Sequence, residues 1–316
     1  MSIDLSVIIP VFNEAENLEL LLPELIAELE DSGVSFEVLI VDDCSTDRTP
    51  DVIRSFVAQD HRSRGFRLFF NTKKSGALAA GFREARGDIL VTIDGDMQDI
   101  PKNIPLLLQE IHSGADVVIG WKCRRQDSWR KRQASHLFNA ACSLLYRVRL
   151  HDINSGLKAY KKAAVADIPL YGSLYRYGIL FLHAKGWRIK EVSVPHRKRA
   201  FGRTKYDFFH RCRGISDFFS VACILRPSFS AKFRLSAHVV TANAFLAAFL
   251  VSAGIVFFQA GHTLLAGVMF VLACIVGVMT VLLGMIGLLV SRILRRHGTE
   301  MESLVAYSEL GAVIAS

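Results

Sequence analysis

Paired cysteines are missing. The 316-residue chain has 6, Cys44, Cys123, Cys142, Cys212, Cys223 and Cys274, none at a metal-ligand spacing, so a zinc ribbon is excluded and reduced thiols are expected instead of a disulfide frame. His136, His151, His183 and His196 also lack metal spacing and are expected to be structural. The run Gly76 to Gly81 is rich in small residues but is not Gly-x-Gly-x-x-Gly, which removes the main support for a dehydrogenase. Met1 to Ser6 carry no basic region and lead straight into an apolar run, so no signal peptide is expected.

Charge is missing from two long stretches. Val239–Phe258 and Leu264–Val290 contain no Asp, Glu, Lys or Arg, and each is long enough for a membrane helix, which needs roughly 20 apolar residues. They account for a mean hydropathy of +0.29 in a chain that is 51% hydrophobic. The turn Gln259 to Thr263 is short and uncharged. Lys232 and Arg234 precede the first span and Arg292, Arg295 and Arg296 follow the second, so the positive-inside bias puts both ends and the large domain in the cytoplasm. The expected organisation is a catalytic domain over 1–203, amphipathic juxtamembrane helices over 204–235, a two-helix transmembrane hairpin over 236–291 and a cytoplasmic tail over 292–316. The net charge of +8 crowds between Lys122 and Arg234, leading into the hairpin. Anionic lipid explains that placement better than nucleic acid, which is not expected as a partner.

Before the hairpin, strand and helix patterns alternate. Leu5–Val11, Phe36–Val41, Arg67–Phe70, Ile89–Ile93 and Asp116–Gly120 read as buried strands, with helices over Glu16–Asp31 and Pro101–Ser113. Pro23 should kink the first helix or mark a restart. Sustained alternation predicts an α/β domain with a doubly wound, mostly parallel sheet. Ligands in such sheets sit beyond the carboxyl ends of the strands. There the chain places Asp42-Asp43 after one strand and Asp94-Gly95-Asp96 after another. Two carboxylates separated by a glycine suit a hard divalent cation shared with substrate phosphates, and Gln98 adds a neutral oxygen. The same residues also fit a solvated acidic turn capping the helix that follows Pro101.

Ile9-Pro10-Val11-Phe12-Asn13-Glu14, Val41-Asp42-Asp43-Cys44-Ser45-Thr46-Asp47 and Asp94-Gly95-Asp96-Met97-Gln98-Asp99, in this order and spacing, resemble the inverting family 2 glycosyltransferases with a GT-A fold. Lys122–Lys162 and Pro195–Tyr206 resemble its polyprenol-phosphate branch, the dolichol-phosphate mannose synthases and undecaprenyl-phosphate glycosyltransferases. The likeness covers about residues 3–225. It implies transfer of a single hexose from a nucleoside-diphosphate sugar to a polyprenyl phosphate, with Mg2+ or Mn2+ as cofactor. The implied donor is GDP-mannose, UDP-glucose or a UDP-hexosamine; membrane lipid is a further partner, and homo-oligomerisation is left open.

Residue by residue, the resemblance assigns Pro10, Phe12, Glu14, Val41, Asp43, Asp94, Gly95, Asp96 and Lys122 to the nucleotide sugar, and Asp94, Asp96 and Gln98 to the metal. Lys122 stands where the branch usually has arginine, which keeps the charge and loses the bidentate fork. Arg132 and Ser135 match acceptor-phosphate positions, and Arg199 and Lys205 match a loop that closes over donor and acceptor; both are assigned to the nucleotide sugar, and Arg199 to the acceptor phosphate as well. Asp96, Asp152, Arg132, Arg199 and Lys205 form the implied catalytic set, with Asp152 facing the reacting sugar. Two rival readings are a processive polysaccharide synthase and a non-catalytic membrane scaffold. The first lacks its Gln-x-x-Arg-Trp motif, since Gln126–Arg130 runs Gln-Asp-Ser-Trp-Arg; the second is disfavoured by the intact acidic and basic residues.

Overall fold

The computed structural model describes residues 3–122, 150–170, 174–197, 245–296 and 307–310, with isolated positions among 139–148 and at 221 and 225; for 280–296 and 307–310 the description is of backbone. The chain divides into two compact units, one of residues 1–205 with 301–316 and one of residues 206–300.

In the first unit the central strand β1 (Leu5–Val11) is apolar almost throughout because it is covered on both faces and paired on both edges. It runs parallel to β2 (Phe36–Asp42) from Leu5 opposite Phe36 to Val11 opposite Asp42, and parallel to β4 (Ile89–Thr92) from Leu5 opposite Ile89. β3 (Ser63–Leu68) continues the parallel set beside β2. β5 (Val117–Lys122), β6 (Lys158–Lys161), β7 (Ile189–Val194) and β8 (Tyr307–Leu310) complete an eight-stranded sheet in the order β7-β5-β6-β4-β1-β2-β3-β8. β6 is antiparallel to both β4 and β5, and β8 is antiparallel to β3. The sheet is therefore mixed, with four of its seven described pairings parallel, where a mostly parallel doubly wound sheet was expected. β6 enters from the other end and fills the space between β4 and β5.

Helix α1 (Ala15–Asp31) buries Leu18, Leu21, Leu22, Leu25 and Leu29, the spacing of one helical face. At roughly 1.5–3 kcal/mol per buried leucine, this face stabilises the unit far more than helix propensity does. Of the two outcomes expected at Pro23, a restart does not occur: α1 runs on through it. Pro23 and Glu19, four residues earlier, are both exposed, so the backbone hydrogen bond proline cannot make is one that water replaces. β3 also differs from the expected Arg67–Phe70. Phe66 and Leu68 alternate inward with Arg67 between them, while Phe69 and Phe70 lie beyond the strand and are exposed. Helices α2 (Thr49–Gln59), α3 (Lys73–Glu84) and α4 (Ile104–His112, entered through a 3-10 turn at Pro101–Asn103) pack on the sheet. Among the described cysteines Cys44, Cys142 and Cys274 are free thiols, and burial pushes Cys142 up to about 12.

The second unit contains helical residues 245–259 and a helix at Thr263–Arg296, joined through Gly261 at φ +84°. A Cβ on Gly254 would lie 3.4 Å from Phe270 Cζ, so the two helices approach closely there. Phe245, Phe249, Val256, Phe258, Leu264 and Val271 are exposed. Among the described residues no helix is long and apolar enough to cross a membrane. Of the expected spans, 239–244 lies outside those residues, and side chains of the second are described only as far as Met279.

Candidate active site

Parallel pairing in register brings the carboxyl ends of β1, β2 and β4 side by side, and the connections leaving them are tied together. Asp43 N donates to Val11 O at 2.9 Å. Asn13 N donates to Ser45 Oγ at 2.8 Å, and Thr46 N returns a bond to Asn13 Oδ1 at 2.8 Å. Glu14 N donates to Thr49 Oγ1, while Glu14 Oε2 accepts from Asn17 Nδ2 at 2.6 Å. Asp43 Oδ1 accepts from Thr72 N at 2.6 Å and from Thr72 Oγ1 at 3.0 Å, which fastens the β2 tip to the start of α3. Burial raises the Asp43 carboxyl despite those bonds.

Four described non-glycine residues hold positive φ: Asn13, Cys44, Lys73 and Met97. One lies in each connection leaving β1, β2, β3 and β4. Left-handed backbone costs about 1–2 kcal/mol at such residues, and its recurrence at one end of the sheet marks that end as the functional one. Of the residues expected to hold the nucleotide, Val41 is fully buried in β2, Asp43 is buried at its tip, and Pro10, Phe12 and Glu14 are half-buried at the β1 tip.

The acidic turn after β4 is built from more than Asp94 and Asp96. Because β6 runs opposite to β4, its first residue, Lys158, pairs with Thr92 at the end of β4 and with Ile119 of β5, which ends three residues on at Lys122. Three lysines thus meet three carboxylates. Lys74, from the first turn of α3, forms an ion pair with Asp94 Oδ1. Lys122 Nζ lies 2.7 Å from Asp99 Oδ1. Lys158 Nζ donates to Ser155 O and feels Asp152, Asp94 and Asp99 electrostatically.

Burial works to raise the Asp94 carboxyl, but the ammoniums of Lys74, Lys122 and Lys158 outweigh it and hold Asp94 below the usual carboxylate range. Asp99 goes the other way: burial dominates over Lys122, and its carboxyl is raised. Lys158 is pushed down to about 8, first by burial and then by Lys74. Asp96 Oδ1 accepts from Gln98 N at 3.1 Å, and Gln98 O accepts from Arg197 N at 3.1 Å, linking the chain leaving β7 to this turn. Asp152 is buried, and its backbone N–H donates to Glu191 Oε1 at 3.0 Å.

These residues fit a divalent cation. A Cβ on Gly95 would lie 2.7 Å from Val11 Cγ1, so the turn can hug the β1 tip only with glycine there. A Cβ on Gly156 would collide with the Asp94 carboxylate and lie 2.7 Å from Asp99 Oδ2, so both oxygens border a space that only glycine leaves open. Asp99 Oδ2 is buried without a hydrogen-bond partner, an acceptor awaiting a donor or cation. Among the described residues no group of three His, Cys, Asp or Glu is arranged around a metal. A cation here would rest on one or two carboxylates with phosphate and water oxygens completing its shell, the usual magnesium arrangement.

Residues 6–180, more than half of the chain, match the family model described as glycosyl transferase family 2. The chain belongs to this family. It is 32% identical over 203 residues to the undecaprenyl-phosphate 4-deoxy-4-formamido-L-arabinose transferase of Edwardsiella ictaluri, an alignment covering 64% of this chain and 62% of that one. It is 30% identical over 230 residues to the dodecaprenyl-phosphate galacturonate synthase of Rhizobium johnstonii, covering 71% and 68% of the two chains.

Among solved structures, the mannosyltransferase of Pyrobaculum calidifontis, whose structure holds GDP-Man and Mn2+, aligns with TM-score 0.54 and 19% identity over 87% of both chains. The mannosyl-3-phosphoglycerate synthase of Rubrobacter xylanophilus aligns with TM-score 0.55 and 19% identity over 72% of this chain and 75% of that one. These likenesses identify the mixed sheet of this family 2 chain as GT-A-like.

Of the family positions expected from sequence, the described residues bring Pro10, Phe12, Glu14, Val41 and Asp43 to the β1 and β2 tips, and Asp94, Gly95, Asp96, Gln98, Lys122 and Asp152 to the end of the sheet formed by β4, β5 and β6. Arg132, Ser135, Arg199 and Lys205 lie outside the described residues. Lys74, Asp99, Gly156 and Lys158 were not singled out by sequence. Asp99 extends the Asp94, Asp96 alternation by one turn of the loop, a pattern that could have flagged it. For Lys74 and Lys158 there was no such sign, because their partners depend on strand order.

Proposed function

We propose that the protein transfers one hexose from a nucleoside-diphosphate sugar to a polyprenyl phosphate, with inversion, at the cytoplasmic face of a membrane. The observation that carries this reading is that the Asp43 tip and the Asp94–Asp99 turn stand at the same end of the sheet, on either side of the β1 tip, in a family 2 chain whose curated relatives are named as polyprenyl-phosphate sugar transferases. Pro10, Phe12, Glu14, Val41 and Asp43 take the nucleotide, and Asp94, Asp96 and Gln98 provide oxygens for Mg2+ or Mn2+. When bound, the cation supplies Lewis-acid stabilisation to the departing diphosphate.

Lys122, held by Asp99, faces the same phosphates. Asp152, fixed through its backbone by Glu191, orients the sugar. A phosphate monoester is largely dianionic near neutral pH, its second pKa being about 6, so the acceptor oxygen attacks the anomeric carbon without a strong general base. Alignment of that oxygen in line with the leaving diphosphate then governs the rate. Arg132, Ser135, Arg199 and Lys205 are assigned to that task.

The membrane assignment is supported first by the sequence alone, in the uncharged runs Val239–Phe258 and Leu264–Val290, each of at least the roughly 20 residues that a span needs. Exposed Phe245, Phe249, Phe258 and Leu264 on the second unit support it too, since large apolar side chains gathered in one short segment and left exposed mark an interaction surface. Basic residues flank the hairpin on both sides, which orients residues 1–203 and the tail toward the cytoplasm.

Membranes containing the protein, incubated with labelled GDP-mannose, UDP-glucose, UDP-hexosamines and undecaprenyl or dolichyl phosphate, should yield a lipid carrying one sugar, identified by mass. A polymer would favour the processive synthase. Absence of transfer across a full donor panel, with the protein folded, would favour the scaffold. Chelator should abolish transfer and Mg2+ or Mn2+ restore it; a tag at Gly261 recovered on the cytoplasmic side would overturn the orientation.

A further inference from the structure

The three lysines of the acidic cluster are not equivalent. Lys122 is fixed on Asp99 with both side chains nearly out of solvent, at 11% and 1% exposed, and Lys158 is buried with its ammonium on a backbone carbonyl. Lys74 is different. Its side chain and that of Asp94 are 28% and 31% exposed, and it extends from the first turn of α3 directly after Lys73, whose φ of +65° turns the chain into the helix.

Its ammonium rests on Asp94 Oδ1, so a cation binding that carboxylate through either oxygen meets a positive charge already paired with it. A lysine is a compact charge on a flexible four-carbon stem, so it can leave one anion for another at low cost. It will do so only where a second anion is near.

We infer that Lys74 is a resident counter-ion which a divalent cation must displace from Asp94, so that metal binds weakly to the empty site and tightly once a nucleoside diphosphate offers the lysine a phosphate oxygen. This rests on the proposed metal site. Removing the lysine frees Asp94 for the cation and removes the lysine's share of the coupling between the two ligands, leaving the share that comes from phosphate oxygens in the cation's shell. The consequence is reciprocal, as linkage requires: whatever factor the nucleotide contributes to metal affinity, the metal contributes to nucleotide affinity.

The test is a titration of Mn2+ into the full-length protein in lipid nanodiscs, read by the electron paramagnetic resonance of free Mn2+, without nucleotide and with UDP or GDP in separate runs. In the nucleotide-free state Lys74→Met and Lys74→Gln should bind Mn2+ about fivefold or more tighter than the wild type, the low end of ordinary coupling. The improvement produced by nucleotide should shrink by a similar factor. Unchanged nucleotide-free affinity in both variants would overturn the inference. Asp94→Asn separates the two layers. If it abolishes Mn2+ binding while the Lys74 variants match the wild type, the metal site stands and the lysine's role falls; if it leaves Mn2+ binding untouched, both fall.

Discussion

Lys122 Nζ and Asp99 Oδ1 lie 2.7 Å apart at the end of the sheet, in a pair whose side chains are almost wholly out of solvent. Removing one partner of a buried pair leaves the other charged and uncompensated, typically at a cost of about 3–5 kcal/mol. Lys122→Met should therefore destabilise the first unit by about 3 kcal/mol in denaturant unfolding, and Asp99→Asn somewhat less because its amide retains an acceptor. The double variant should be more stable than the sum of the single effects predicts. A coupling energy near zero in that cycle would contradict the pairing.

Gly156 sits against Asp94 and Asp99 with no room for a methyl group. Gly156→Ala should push those carboxylates apart, costing about 1–3 kcal/mol of stability and lowering sugar transfer by about a hundredfold through misplaced charge. Near-wild-type turnover measured at saturating donor would mean that the space between the two acids is not used.

The opposite end of the sheet offers a control. Glu37 Oε1 accepts from Ser6 Oγ at 2.7 Å and from Arg86 N at 2.7 Å, and its other oxygen lies 3.5 Å from Arg64. Glu37→Ala strands buried donors at the amino ends of the strands, away from the acidic turn, and should cost about 3 kcal/mol. Transfer per folded molecule should stay at the wild-type level.

Lys158, lowered to about 8 by burial and Lys74, ties stability to pH. An unfolded lysine titrates near 10.4, so between about pH 8 and pH 10.4 the unfolded chain binds more protons than the folded one, and stability rises with pH across that window. Lys158→Met should lack this rise. The check is the difference in unfolding midpoint between wild type and variant, which should move in favour of the wild type from pH 7.5 to pH 10 and stay flat from pH 6 to pH 7.

The parts of this protein that could be read from sequence are those whose chemistry is local. β1 has the expected bounds, Leu5–Val11, because a strand buried on both faces leaves an unbroken branched apolar run. The Asp94–Asp99 turn was visible because its ligands are adjacent in the chain. β3 was displaced because Ser63–Leu68 alternates with arginines, and Phe69 and Phe70 imitate a strand end while facing solvent. β6 was invisible: Lys158–Lys161 reads as a charged connection, and only its insertion between β4 and β5 makes it a strand. Lys74 and Lys158 follow from that topology, so no local pattern could reveal them.

β8 gives the molecule an order of assembly. It closes the outer edge of β3 with residues 307–310, which come after the whole of the second unit in the chain. During synthesis β3 therefore has no β8 to pair with until residues 206–300 have been made. A chain halted before residue 307 would lack the strand that covers β3 and would leave that edge open to pairing with a second chain.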